Sequence, residues 1–387
     1  MPQLPSLETI LGRSVPTVGV AIRRLPGGPL VWVWYAAEVD SGSRAEVPKW
    51  ISRPQEVYLR GYLGFMGQDN AVMRWAMRWA FGSTRLPAVW EARPLTDDVR
   101  GVVVFSHGLG GNGTTYSLLC AALAAHGYLV VSVEHGDGSA SVTIDAHGCI
   151  VPHRVPTAAD SWEQKRAFRL AQLRQRCDEI GATLDWIREV AAGRQRAGEL
   201  QPLFGAAVAA DSVTLCGHSF GGATAALFVR SDAASAARIH RVVMLDPWLW
   251  PLLPTLRNQN ACPGELLATP PSLIISNEHF LHALTEAERE ALTAWDTPTK
   301  YYLVGAAHML QSDVEQLLPR WLGRCLRLPV STHSRIALRV QLEVVAAFLS
   351  DDTASVQRIV RRHPTLIRSL ASAKWDAAAA AGVNHAA

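Results

Sequence analysis

The chain contains 387 residues, of which 49% are apolar and 18% are charged, and its formal net charge is +3 at pH 7. This composition provides enough apolar material for a large buried core and therefore excludes an intrinsically disordered chain. The small net charge, without any block of like charges, argues against nucleic-acid binding.

The amino-terminal segment predicts no export from the cytoplasm. The first residues, MPQLPSLETILGRSVPTVGV, lack the basic start and the continuous apolar stretch of a secretory signal. No apolar run reaches the roughly 18 residues that a membrane-spanning helix requires. The cysteines form no C-x-x-C pair, a pattern that favours a reducing compartment over a disulfide framework. We therefore expect a cytoplasmic protein.

Residues 70–82, NAVMRWAMRWAFG, predict a helix that is apolar over most of its surface. Arg74 and Arg78 share one stripe of this helix. The apolar side chains that face away or sideways are Val72, Trp75, Trp79 and Phe81. Two interpretations stay open. The helix lies at a lipid interface, with arginines on head-group phosphates, or it is an ordinary core helix.

From Gly101 onward the sequence alternates between strand and helix patterns. GVVVFSHG, a helical stretch over residues 114–126 and YLVVSVEH together predict a βαβ unit. Asp160 and Glu163 predict a capping box for a long helix through Val190. Short buried strands are expected at residues 213–215, 241–245, 272–275 and 300–304, and two helices after residue 334. Continuous apolar runs predict an α/β fold, with a mostly parallel central sheet and helices on both faces.

The segment GHSFG at residues 217–221 matches the G-x-S-x-G pattern of a nucleophile elbow. A hydroxyl is a poor nucleophile until a base removes its proton, so Ser219 must project from a sharp turn toward that base. Glycine on both sides permits the turn, because a side chain would crowd the neighbouring strand or helix. The strand-like VTLC before the motif and the helix-like ATAALF after it complete this setting. We predict an α/β-hydrolase fold with Ser219 as nucleophile.

The acid and the base are expected later in the chain, in the order Ser, acid, His. Asp246 ends the strand RVVML and is the predicted acid, since it can hold the imidazole tautomer and stabilise the imidazolium. Asp296 is the main rival, but its polar surroundings are typical of a surface loop. His308 follows the strand YYLV and is the predicted base. Other histidines fit this role less well: His107, His218, His279 and His282.

The segment SHGLGG at residues 106–111 follows the first strand of the unit, where this fold holds its oxyanion loop. We predict that the backbone N–H groups of Leu109 and Phe220 bind the oxyanion. The chain lacks H-E-x-x-H, a Cys/His cluster at zinc spacing and the G-K-[ST] of a phosphate loop. We therefore expect no metal and no cofactor.

Five segments resemble the platelet-activating factor acetylhydrolases of the plasma and intracellular type II branch, also called group VII phospholipases. They are, in chain order, VVFSHGLGG, VEHGDGSASVTI, GHSFGG, LDPWLWPL and IISNEHF. The resemblance extends from about residue 15 to about residue 314 and implies the catalytic and oxyanion roles assigned above. It also favours the lipid-interface interpretation, because residues 58–82 look like the lipid-contacting helices of that family.

The resemblance implies calcium-independent hydrolysis, through an acyl-enzyme, of the sn-2 acetyl or short or oxidised acyl ester of platelet-activating factor-like phospholipids. Phospholipid is then the partner, and a cytoplasmic protein peripheral on membranes is expected, with its oligomeric state open. Pro247 and Met309 stand where polar residues would be expected, so the acyl-length preference also stays open. A broader lipase, carboxylesterase or polyester hydrolase is the alternative, and a non-catalytic binding protein of the same fold is another.

We expect the chain to have three parts. Residues 1–94 form an amino-terminal section whose lipid-facing helices pack on the catalytic domain. Residues 95–330 form the α/β-hydrolase domain, and residues 331–387 form a carboxy-terminal helical extension, which finds no counterpart in the resemblance.

Overall fold

The computed structural model describes residues 2–39, 46–209, 212–260, 269–318 and 329–373. The strands are β1 (Thr17–Arg24), β2 (Leu30–Glu38), β3 (Val89–Trp90), β4 (Arg93–Pro94), β5 (Gly101–Ser106), β6 (Tyr128–Glu134), β7 (Val142–Ile144), β8 (Ile150–Pro152), β9 (Val213–His218), β10 (Arg241–Leu245), β11 (Ser272–Asn277), β12 (Thr299–Leu303) and β13 (Ile367–Ser369). The helices are α1 (Leu7–Leu11), α2 (Gln55–Phe65), α3 (Ala71–Phe81), α4 (Ser117–Ala124), α5 (Trp162–Ala191), α6 (Gln201–Ala209), α7 (Phe220–Ser231), α8 (Ala233–Ala237), α9 (Leu253–Asn260), α10 (Glu278–Ala283), α11 (Glu286–Thr293), α12 (Asp313–Leu317), α13 (Ser334–Leu349) and α14 (Thr353–Arg362).

Within the described residues, one large sheet has the strand order β13-β12-β11-β10-β9-β5-β6-β2-β1-β3, with β4 paired to β2. The six strands from β12 to β6 in this order are parallel. At one side β13 runs antiparallel to β12, and at the other β2 runs antiparallel to both β6 and β1, whereas β1 and β3 are parallel. Strand β7 pairs with β8 in a separate hairpin. The predicted α/β fold with a mostly parallel central sheet is confirmed.

Both faces of the sheet are covered, because its central strands carry apolar side chains on both sides. On β5, Val103 and Phe105 pack in a core with α1, α4 and α13, whereas Val102 and Val104 pack in a second core with α5, α6 and α7. All four side chains are at most 1% exposed. Continuous rather than alternating apolar runs therefore reflect burial between two helical layers.

The three-part division at residues 94 and 330 stays a prediction, but strands from all three parts join the same sheet. Strand β2 pairs with β6, with Leu30 opposite Glu134. At the other edge β13 pairs with β12, with Ile367 opposite Leu303. The two ends of the chain therefore extend the sheet that holds the central parallel strands.

The long helix α5 begins one residue later than the predicted capping box implies. The cap is Ser161, whose hydroxyl accepts from the backbone N–H of Gln164, while the Gln164 side chain accepts from the N–H of Ser161. Asp160 instead accepts from the backbone N–H of Thr157. The prediction of Asp160 and Glu163 as the box was wrong, because Asp160 is used by the preceding turn.

Candidate active site

Ser219 lies in a strained turn between β9 and α7. Its backbone has φ 55° and ψ −115°, a conformation that is costly for a residue with a side chain. A Cβ on Gly217 would lie 2.1 Å from the carbonyl oxygen of Gly221, and a Cβ on Gly221 would lie 2.0 Å from that of Ser106. Only glycine fits at these two positions, so the predicted elbow geometry has a steric basis.

The structure brings Ser219, His308 and Asp246 into one hydrogen-bonded series. Nε2 of His308 lies 3.0 Å from Oγ of Ser219, and Nδ1 of His308 lies 3.0 Å from Oδ2 of Asp246. The three residues follow β9, β12 and β10, which end at the same edge of the parallel sheet. A carboxylate at Nδ1 holds the proton there and leaves the Nε2 lone pair free to accept from the serine hydroxyl.

Asp246 is fully buried and is held by Asn277, a residue that sequence reasoning did not select. Asp246 accepts from both the backbone N–H and the side-chain Nδ2 of Asn277, and the side-chain contact measures 2.7 Å. Nδ2 of Asn277 also lies 2.8 Å from the carbonyl oxygen of Ala307, directly before the predicted base. Burial raises the pKa of Asp246, while the donors from His308 and Asn277 favour the carboxylate. A polar residue ending the buried strand IISN was the available signal.

Two of the rival residues, Asp296 and His218, have other positions or other hydrogen-bond partners. Asp296 is exposed, as its polar surroundings predicted. His218 is buried, and burial holds its pKa well below the usual range. Nε2 of His218 lies 3.0 Å from the carbonyl oxygen of His308, and Nδ1 lies 2.9 Å from the hydroxyl of Tyr116. A neutral His218 therefore accepts from Tyr116 and donates to the backbone of the predicted base.

The predicted oxyanion loop lies against the elbow. A Cβ on Gly108 would lie 3.2 Å from Cβ of Ser219, so the two segments are in van der Waals contact. Within the described part of the chain, the N–H groups of Leu109 and Phe220 donate to no backbone or side-chain acceptor. Phe220 directly follows Ser219, and Leu109 directly follows the contact at Gly108; the role of their N–H groups as oxyanion donors stays a prediction.

Among the described residues, one group brings ligand atoms of three residues, His218, Asp246 and His308, within 4.8 Å of one another. Each ring nitrogen of the two histidines already has a hydrogen-bond partner in this group or next to it. A metal would have to displace the contacts that join the serine, the histidine and the aspartate. The donor set fits proton transfer better than metal binding, and the absence of a metal stays a prediction.

Comparison with known proteins gives a family match over most of the chain. The sequence profile of the family described as "Platelet-activating factor acetylhydrolase, isoform II" matches residues 24–364. The chain is 28% identical over 341 residues to the platelet-activating factor acetylhydrolase of Bos taurus, covering 83% of this chain and 71% of the relative. It is 27% identical over 310 residues to that of Cavia porcellus, covering 78% and 67%.

A solved structure supports the fold. A ferulic acid esterase from Streptomyces cinnamoneus superposes with a TM-score of 0.59 over 95% of this chain and 99% of that chain, at 21% identity. At this identity the likeness concerns the fold alone. The family match covers most of the chain, and its range includes the elbow, the predicted oxyanion loop and all three residues of the series. The chain therefore belongs to the platelet-activating factor acetylhydrolase, isoform II family, and it is an ester hydrolase with the α/β-hydrolase fold.

Proposed function

We propose that the chain hydrolyses the sn-2 acetyl or short acyl ester of phospholipids that resemble platelet-activating factor. The observation that carries this proposal is the hydrogen-bonded series of Ser219, His308 and Asp246 at the strand ends of a chain of this family. The relatives named platelet-activating factor acetylhydrolase support the acetyl ester of that lipid as the substrate.

In the proposed reaction, Oγ of Ser219 attacks the ester carbonyl carbon while Nε2 of His308 takes the hydroxyl proton. The carbonyl oxygen becomes an oxyanion that accepts from the N–H groups of Leu109 and Phe220, while Asp246 stabilises the imidazolium. The ester C–O bond then breaks, and His308 gives the proton to the oxygen of the departing lyso-lipid. Water, deprotonated by His308, attacks the acyl-enzyme, releases the carboxylic acid and restores the serine.

Substrate choice is tested by kcat/KM for phosphocholine lipids that carry acetyl, short or long sn-2 chains. We expect the acetyl lipid to exceed the long-chain lipid by about 100-fold or more, equivalent to about 2.8 kcal/mol. Because backbone N–H groups stabilise the oxyanion in this mechanism, the same turnover is expected with EDTA present. If long-chain phospholipids and neutral triglycerides were hydrolysed as fast as the acetyl lipid, the broader lipase would be favoured. Loss of activity with EDTA and its recovery with calcium would overturn the metal-independent mechanism.

Helix α3 exposes three of the four side chains that the sequence assigned to a lipid interface. Val72, Trp75 and Trp79 are 72%, 69% and 63% exposed, and no residue of the helix is buried. The core-helix interpretation is therefore wrong for these three side chains. Exposed aromatic area of this size on one helix is typical of a binding surface. No helix in the described part of the chain is both long and apolar enough to cross a bilayer.

Two details differ from the predicted interface. Phe81 is partly buried against the core, with its ring centroid 6.4 Å from that of Trp50, so it does not belong to the exposed face. Arg78 forms an ion pair of 2.7 Å with Glu56 of α2, and Arg74 forms one of 2.7 Å with Asp69. The arginines therefore bind acidic groups of the protein itself. The proposed membrane contact rests on the exposed apolar side chains.

Helices α2 and α3 are close to the predicted oxyanion loop. Phe65 ends α2, is 38% exposed, and contacts Gly110, where an added Cβ would lie 2.4 Å from the ring. Trp75 and Trp79 lie on α3, the helix that packs against α2. We propose that a lipid surface docks on these two helices and so presents its ester beside the serine. The predicted cytoplasmic location with peripheral membrane association stays a prediction.

The docking proposal predicts a separation of lipid binding from chemistry. Replacing Trp75 and Trp79 with Glu should weaken binding to phospholipid vesicles at least about tenfold, because burying one large apolar side chain contributes about 1.5–3 kcal/mol. Hydrolysis of a water-soluble acetyl ester should stay within about threefold, since neither side chain contacts the catalytic series. Vesicle cosedimentation and kcat on both substrates measure the two effects.

The matched control replaces the same two tryptophans with Phe, which keeps apolar aromatic area at both positions. We expect this variant to bind vesicles within about threefold of the wild type. Normal vesicle binding by the Glu variant, with turnover lost on both substrates, would show that α3 shapes the substrate site instead.

A further inference from the structure

Arg176 is a buried cation that neither the sequence analysis nor the catalytic series uses. It lies in the middle of α5, and its side chain is 0% exposed. A guanidinium in a protein interior is costly unless its donors are paired. Its carboxylate partner is Asp137, equally buried, with Nε of Arg176 3.1 Å from Oδ2. Nη2 donates to the hydroxyl of Ser139 at 2.6 Å.

The remaining nitrogen of the guanidinium, Nη1, contacts the predicted oxyanion loop. Nη1 of Arg176 donates to the carbonyl oxygen of His107 at 2.7 Å. The N–H of the same peptide unit belongs to Gly108 and donates to the hydroxyl of Tyr116 at 3.1 Å. Because a peptide unit is planar, holding both its oxygen and its N–H fixes its orientation. Arg176 thus holds one end of the peptide that precedes the predicted oxyanion donor.

The next peptide unit carries that donor, the N–H of Leu109. Nε2 of His107 accepts from the backbone N–H of His135 at 3.2 Å, so its ring proton resides on Nδ1. Nδ1 of His107 then donates to the carbonyl oxygen of Gly108 at 2.8 Å. Burial lowers the pKa of His107 well below its usual range, so this neutral tautomer persists. Since N–H and C=O point in opposite directions across a trans peptide, holding the Gly108 oxygen aims the Leu109 N–H.

Arg176 also contacts the residue that carries the second donor. Its guanidinium carbon lies 4.7 Å from the ring centroid of Phe220, within the range of a cation–π contact. Phe220 is fully buried, so its ring has no freedom to leave this contact. One planar group therefore contacts both segments whose N–H groups are proposed to bind the oxyanion.

We propose that Arg176 is a positioning residue that sets the spacing between the two oxyanion donors, Leu109 N–H and Phe220 N–H. This proposal rests on the proposed function, because it assigns a role in the same acyl transfer. It places Arg176 outside the group of residues that touch substrate. Its removal should therefore weaken the binding of the tetrahedral oxyanion and leave ground-state binding unchanged.

The test uses the full chain and a water-soluble acetyl ester, with Arg169→Gln as the matched control. Arg169 lies two turns earlier on α5, is 1% exposed, and bonds Gln172 and the carbonyl oxygen of Arg154 instead of the oxyanion loop. We expect Arg176→Gln to lower kcat about 100-fold with KM within about threefold, the loss typical of one oxyanion donor. Arg169→Gln should keep kcat within about threefold, although both variants lose stability by removing a buried cation.

A trifluoromethyl ketone that resembles the acetyl substrate supplies a second measurement. Its adduct with Ser219 carries the oxyanion, so its affinity for Arg176→Gln should fall by the same factor as kcat. If Arg176→Gln does not fold, Arg176→Lys replaces it in the test. Lysine keeps the charge beside Asp137 but lacks the planar guanidinium, so this variant should lower kcat about tenfold. Equal kcat losses in the Arg169 and Arg176 variants, a loss confined to KM, or wild-type kcat in Arg176→Lys would overturn the proposal. Absence of ester hydrolysis in the wild-type chain would instead overturn the proposed function.

Discussion

Replacing Ser219 with Ala is expected to lower kcat for ester hydrolysis by about 10⁴ to 10⁶, because the replacement removes the nucleophile that the acyl-enzyme requires. The fold should persist. Alanine has the same Cβ as serine and meets the same backbone conformation, φ 55°, so the strain of the turn is unchanged. The measurement is turnover of a soluble acetyl ester, together with circular dichroism to verify folding.

The control for this prediction is Ser231→Ala, at the other end of α7, where the hydroxyl donates to the carbonyl oxygen of Phe228 far from the site. This variant should keep wild-type turnover. A fluorophosphonate probe should label the wild type and Ser231→Ala but not Ser219→Ala. Ser219→Ala with a tenth of wild-type turnover would contradict the assignment, and a wild-type chain that neither turns over nor reacts with the probe would favour the binding-protein alternative.

Replacing Asp246 with Asn is expected to lower kcat by about 10⁴ while the protein stays folded. The physical reason is the tautomer of His308. Asp246 offers only acceptors, so His308 keeps its proton on Nδ1 and its lone pair on Nε2 facing Ser219. An Asn side chain at position 246 has one acceptor oxygen, and this oxygen accepts from Asn277. Its NH₂ group then faces Nδ1 of His308. The proton then moves to Nε2, which can no longer accept from the serine hydroxyl.

The matched control is Asp296→Asn, because this exposed residue was the rival acid in the sequence. We expect its kcat to stay within about threefold of the wild type, as is usual for a surface substitution. The opposite pattern, with activity lost in Asp296→Asn and kept in Asp246→Asn, would mean that another carboxylate orients the base.

The central strands and the elbow could be predicted because their causes are local. A strand covered on both faces needs a continuous apolar run, and the predicted run at residues 241–245 coincides with β10. The elbow needs glycine at two positions, and the steric contacts of Gly217 and Gly221 show why no other residue fits. The order Ser, acid, His then limited the choice of partners, since both follow strands.

Helix ends were harder to predict when distant residues form the cap. The helix expected over residues 114–126 begins as α4 at Ser117. There the carboxylate of Asp313 accepts from the backbone N–H groups of Ser117 and Leu118, both at 3.0 Å. Free N–H groups at a helix start need acceptors, and in this case the acceptor lies almost two hundred residues away in the chain. No local pattern contains that information.

The sequence by itself determined the α/β architecture, the elbow at Ser219 and the proposed identities of Asp246 and His308, because apolar runs, glycine spacing and residue order act over short stretches of chain. Only the tertiary structure decided that α3 turns its tryptophans outward, since periodicity defines an apolar face but not what covers it. Only the tertiary structure shows that Asn277 donates to Asp246, the predicted acid, and that Arg176 donates to the predicted oxyanion loop. A buried polar side chain is placed by its partners, and these partners come from strands and loops that meet only in the folded protein.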